Sequence, residues 1–111
     1  MWSPDSFARS LVRTLASTDP VAEALQVRSR GKTAVLGVDD AGVWVPLLRL
    51  SNPSAACNVM NLDVRQGRGW APTFERGVPD ALAEKLLGPL RFTWAIEAEA
   101  VGCSKTSGRG H

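Results

Sequence analysis

Across residues 4–17 apolar side chains return every three or four positions. Phe7, Ala8, Leu11, Val12 and Leu15 form one stripe, with Arg9, Ser10, Arg13 and Thr14 opposite. That period is the signature of an amphipathic helix. The entry signals agree: Ser3 is a good N-cap, Pro4 suits the first helical position, and Asp5 complements the helix dipole. Trp2 and Phe7 stand at the spacing of a hydrophobic staple, and Asp19-Pro20 ends the helix.

Beyond residue 23 the period shortens to two. Segments 24–30, 32–38, 43–50, 58–65 and 70–76 read as strands. The connections between them are short and turn-forming: Gly31, Asp39-Asp40-Ala41-Gly42, Ser51-Asn52-Pro53-Ser54 and Gln66-Gly67-Arg68-Gly69. Consecutive strands are therefore expected to pair as antiparallel hairpins. Pro46 and Pro72 each remove a ladder donor, which predicts an edge or a bulge at both. A second helix is predicted over 79–87, with Leu82, Leu86 and Leu87 inward and Gly88-Pro89 as its stop. Finally, Leu90, Phe92, Trp94, Ile96, Ala98 and Ala100 alternate with Arg91, Thr93, Glu97 and Glu99, which predicts a last, half-buried strand over 90–100.

The resulting expectation is an α+β domain: an antiparallel five- to six-stranded sheet with two helices packed on one face. It spans residues 1–101, followed by a mobile polar tail over 102–111. Strand 43–50 carries apolar residues on both faces, with Val43, Val45 and Leu47 on one and Trp44, Leu48 and Leu50 on the other. Two helices, each about 10 Å wide, cover only one face of such a sheet. The other face must be closed by curling, by a second subunit or by a ligand.

Composition narrows the class. A chain of 111 residues is one domain, and its apolar and charged fractions are ordinary for a globular protein. The apolar runs fall short of a membrane span, and the N-terminal residues lack the basic-then-apolar secretory pattern, so a cytoplasmic location is expected. Arginine outnumbers lysine, as in high-GC bacterial genes. A net charge of +2, spread along the chain, argues against a nucleic-acid partner; the basic turn Arg28, Arg30 and Lys32 is the place where one would bind.

The catalytic vocabulary is small. Arg28-Ser29-Arg30-Gly31-Lys32-Thr33 ends like a phosphate-binding loop, but Gln26 stands where the first glycine belongs and a strand follows. His111 is the chain's one histidine, so neither a nucleophilic triad nor a zinc site has an anchored imidazole. Cys57 and Cys103 lack metal-ligand spacing and read as reduced thiols. Glu97 and Glu99, on one side of the predicted last strand, form a carboxylate pair that reads either as an acid and base or as a wet face. The chain carries no cofactor motif.

Trp2 belongs to the staple and Trp94 to the core, which leaves Trp44 and Trp70 for an interface or a pocket. Trp44, Leu48 and Leu50 are the apolar candidates, and Asn61, Asp63 and Arg65 the polar groups that would orient a ligand. The expected function is a non-enzymatic binding or adaptor domain, a homodimer whose apolar sheet face serves as the dimer seam or as a pocket for a small-molecule or protein ligand. The alternative is a small enzyme using Asp63, Arg65, Glu97 or Glu99.

Overall fold

The computed structural model describes residues 3–52 and 59–101. Helix α1 (Pro4–Thr18) begins as its sequence requires. Ser3 Oγ accepts the Ser6 amide at 3.1 Å, while Ser6 Oγ accepts the Ser3 amide at 3.0 Å, a reciprocal cap. Phe7, Ala8, Leu11 and Leu15 are its buried stripe. A 3₁₀ turn at Pro20–Ala24 follows, taking the first residue of the segment predicted as strand 24–30. Trp2, the staple partner, lies outside the described residues, as do Cys57, Cys103, His111 and the predicted tail over 102–111.

Five strands form one antiparallel sheet: β1 (Gln26–Arg30), β2 (Thr33–Asp40), β3 (Val43–Ser51), β4 (Met60–Gln66) and β5 (Gly69–Gly77). They lie in sequence order, each hairpin-paired with the next, as the short turns demand. The β2–β3 hairpin turns through Ala41 and Gly42, both with positive φ, as the favoured two-residue turn requires. Helix α2 (Pro79–Leu87) has the predicted bounds, buries Leu82, Ala83 and Leu86, and packs against α1 and β5.

Both strand prolines sit at irregularities. Pro46 pairs with Gly37 where the β2–β3 register shifts between Leu36 and Gly37, leaving Leu47 as the extra residue. Pro72 pairs with Asp63 on edge strand β5, where the register shifts between Leu62 and Asp63. Thr73 and Phe74 are left over there. The Thr73 hydroxyl donates to the Leu62 carbonyl at 2.7 Å and accepts the Glu75 amide at 3.1 Å, bridging the gap in the ladder. Phe74 is expelled, with φ +65° and 90% exposure.

The segment 90–100 is not a strand. Arg91–Thr93 form a 3₁₀ turn, and residues 95–101 form a third helix, α3. Trp94, Ala95, Ala98 and Val101 are buried there, a helical spacing, whereas Phe92 and Ile96 are each 67% exposed. The alternation misled because alanine and glutamate, which make up most of residues 95–100, are strong helix formers and poor strand formers. The sheet therefore has no sixth strand among the described residues, and the helices number three rather than two. Glu97 and Glu99, two apart on a helix, point to different sides, so the paired-carboxylate reading falls with the strand.

One core results. Ala34, Leu36 and Val38 of β2, Leu47, Leu48 and Leu50 of β3, and Met60 and Leu62 of β4 join the buried residues of all three helices in a single cluster. The helices thus lie on one face of the sheet. Among the described residues no helix is long and apolar enough to cross a membrane.

Candidate functional site

The bulge at Leu47 decides which side chains meet. Strict alternation would put Trp44 on the face of Leu48 and Leu50. One extra residue reverses the alternation. Leu48 and Leu50 turn inward and are wholly buried, and Trp44 turns to the opposite, outer face, where it crosses the backbone of Gly37. A Cβ on Gly37 would lie 2.3 Å from the Val45 carbonyl oxygen and 2.9 Å from the Trp44 ring. That glycine is what lets the indole lie flat.

The bulge also opens a cleft. β3 pairs with β2 over its whole length, but with β4 only over Leu48–Ser51. The first half of β3 and the end of β4 part, and α3 with its preceding turn lies across the opening. The cavity there has a volume of about 780 Å³. Leu47, Val64 and Ala71 form its sheet side, and Leu90, Phe92 and Ile96 its helical side. Trp44, Arg65, Gln66, Thr93 and Glu97 stand among the remaining lining residues. Arg65 is held in place by the hydrogen bond from its Nε to the Gly67 carbonyl, 2.9 Å. The size is that of a small-molecule site, and the mixture of apolar wall and a few polar groups is typical of one.

The outer face is different in kind. The register aligns Arg28, Val35, Arg49 and Asp63 in one row, and Arg30, Thr33, Ser51, Asn61 and Arg76 in the next. Arg49 grips Asp63 Oδ2 through Nη2 at 2.7 Å and Nε at 3.0 Å. The Arg28 guanidinium lies 4.1 Å from the centre of the Trp44 ring. Arg49 and Arg65 flank Trp70 at 5.2 and 5.5 Å. These are cation–π distances. The second face of the sheet is thus coated by indole rings and arginine stems, which answers the shortage of helices without a third layer.

Of the residues singled out in the sequence, Trp44, Arg65 and Glu97 meet at the cleft. Trp70, Asn61 and Asp63 lie on the outer face, and Leu48 and Leu50 belong to the core. The cleft residues Leu47, Val64, Leu90, Phe92 and Ile96 were not singled out, because they come together from three distant segments and three of them, Leu90, Phe92 and Ile96, were assigned inward by the wrong period. Arg49 and Arg76 of the outer face were legible in principle, as the polar members of alternating strands.

Two ion pairs outside these surfaces hold the ends of the fold. Arg91 Nε donates to Asp19 Oδ2 at 2.7 Å, tying the end of α1 to the turn before α3. That hydrogen bond, with a further one from the Val21 amide, holds the Asp19 carboxyl below the ordinary range against partial burial. Arg9 Nε donates to Asp5 Oδ2 at 2.7 Å along α1 and lowers Asp5 likewise. Among the described residues no cluster of three or more His, Cys, Asp or Glu is arranged to hold a metal ion. Comparison of the chain with protein-family models, curated proteins and solved structures returns no match.

Proposed function

We propose that this chain is a binding protein whose cleft between β3, β4 and α3 receives the apolar body of an amphiphilic small molecule. The observation that carries this reading is the cleft itself, an apolar-walled cavity of about 780 Å³ with Arg65 and Glu97 among its lining residues. Phe92, in the 3₁₀ turn, and Ile96, in α3, form an exposed lip, giving an incoming apolar group a surface to leave water on. The enzymatic alternative has less support: Asp63 is already engaged by Arg49 on the other face, and Glu97 has lost Glu99 as a neighbour.

The test uses an anilinonaphthalene sulfonate dye as the probe, titrated into the native protein and followed by dye emission. Saturable binding to a single site is expected, weakened at least tenfold by Ile96→Lys, which charges the lip without touching the core. A dye that binds both proteins equally well would sink the proposal.

A second reading has its own observation. Phe92 and Ile96 at the cleft, and Val43 at 63% exposure one residue before the cleft's Trp44, are exposed apolar side chains that a second copy of the chain would cover. On that reading light scattering over a concentration series finds a dimer, and Ile96→Lys returns it to a monomer. A monomeric native protein at high concentration rejects it.

A further inference from the structure

We infer that the outer face of the sheet is a binding surface for single-stranded nucleic acid. Positive charge is spread evenly along the chain but not in space. The hairpin register brings Arg28, Arg30, Arg49, Arg65 and Arg76 from four different strands onto one face, with Asp63 as the carboxylate among them. Asp63 is neutralised by Arg49, and Asp39, at the margin, turns to accept the Gly42 amide at 2.8 Å. Arg30 and Arg76 are exposed and form no ion pair among the described residues. They end one row on β1 and β5, four strand spacings or about 19 Å apart. A modest net charge is thus concentrated into one basic plane.

Charge alone would suit any polyanion; the two tryptophans specify which. Trp44 and Trp70 are half-buried on this same face, each held by arginine. An exposed arginine–ring contact is weaker than the stacking of a nucleobase on an indole, so a base displaces the guanidinium and frees it for phosphate. A basic surface with interleaved aromatic rings is the general arrangement for sequence-tolerant single-strand binding. Duplex is disfavoured by shape. Among the described residues the face carries no protruding helix or ribbon to enter a groove, and unpaired bases are needed to reach the rings. The surface adjoins the cleft at Trp44 and Arg65, but Trp70, Arg30 and Arg76 do not line the cleft, so the two sites are tested separately.

The experiment is fluorescence anisotropy of a labelled oligothymidylate of about 12 nucleotides, a length within known single-strand site sizes. Three to five phosphate contacts give a log–log salt slope of about −2 to −3.5, a roughly 20- to 130-fold loss of affinity between 50 and 200 mM salt. Trp70→Ala is expected to weaken binding about 10-fold at fixed salt while leaving the slope in place, with Trp70→Phe restoring most of it. Arg30→Ala with Arg76→Ala, both at exposed positions, should reduce the slope by about 1.4. Thermal melting of each variant separates lost binding from lost fold. The inference is overturned by the absence of binding at 50 mM salt. It is equally overturned if polyglutamate or an anionic vesicle competes as well as unlabelled oligothymidylate, or if Trp70→Ala binds like the native protein.

Discussion

Asp19 does two jobs with one carboxylate. Oδ1 accepts the Val21 amide at 3.2 Å, capping the 3₁₀ turn, while Oδ2 accepts Arg91 Nε from a residue far along the chain. Both bonds favour the charged form, so the folded pKa lies below the unfolded one. A group with a depressed folded pKa adds stability above its unfolded value, near 4, and that contribution disappears as pH falls through the folded value. The native protein should therefore lose melting temperature on acidification below about pH 4. Asp19→Asn is expected to melt lower than native at pH 7, with the gap narrowing progressively as pH falls below about 4, which calorimetry over that range reads. A gap independent of pH would show that Asp19 acts through shape alone. Phe74 is the other residue that departs from its type. Its positive φ belongs to a two-residue insertion in the ladder, and Thr73 supplies the hydrogen bonds that keep the strand paired around it.

Among the elements, β3 does most to shape the two surfaces. Like β4, it sends residues to the core, the cleft and the outer face, and in β3 the bulge opposite Gly37 makes this division. Gly37→Ala should drive a methyl into the Val45 carbonyl and the Trp44 ring, costing about 2 kcal/mol or more. Urea denaturation measures that loss, and the Arg28–Trp44 stack should loosen with it, seen as a change in indole emission. A variant as stable as native would mean the two strands can separate here without cost. Hairpin order, both helix starts and both proline irregularities follow from local chemistry and were legible in the chain. The faces of β3 were not, because a bulge is a relation between two strands and leaves only a proline and a glycine as its trace.

At the scale of the molecule, Trp94 joins the last helix to the rest. Its ring is wholly buried, and its Nε1–H donates to the Leu86 carbonyl at 2.9 Å, satisfying one of the free carbonyls at the end of α2. Trp94→Ala should cost about 3–5 kcal/mol, a large part of the stability of a domain this size. Trp94→Phe keeps most of the volume but strands the carbonyl, costing about 1–3 kcal/mol. Denaturant unfolding orders the three proteins. If Phe proves as costly as Ala, the hydrogen bond rather than the packing holds α3 in place.

By itself the sequence determined the elements whose signals are local. Caps, turns and two-residue periodicity gave α1, α2 and a five-strand meander, and the tally of helices against sheet faces showed that one face needed another cover. Only the tertiary structure decided the identity of the final segment, where helix propensity and the burial of Trp94, Ala95, Ala98 and Val101 prevailed over an accidental alternation. It alone decided how the second face is covered, because arginines far apart in the chain become neighbours through strand register. The cleft likewise exists only where two strands part, a geometry that belongs to the pair and to neither segment.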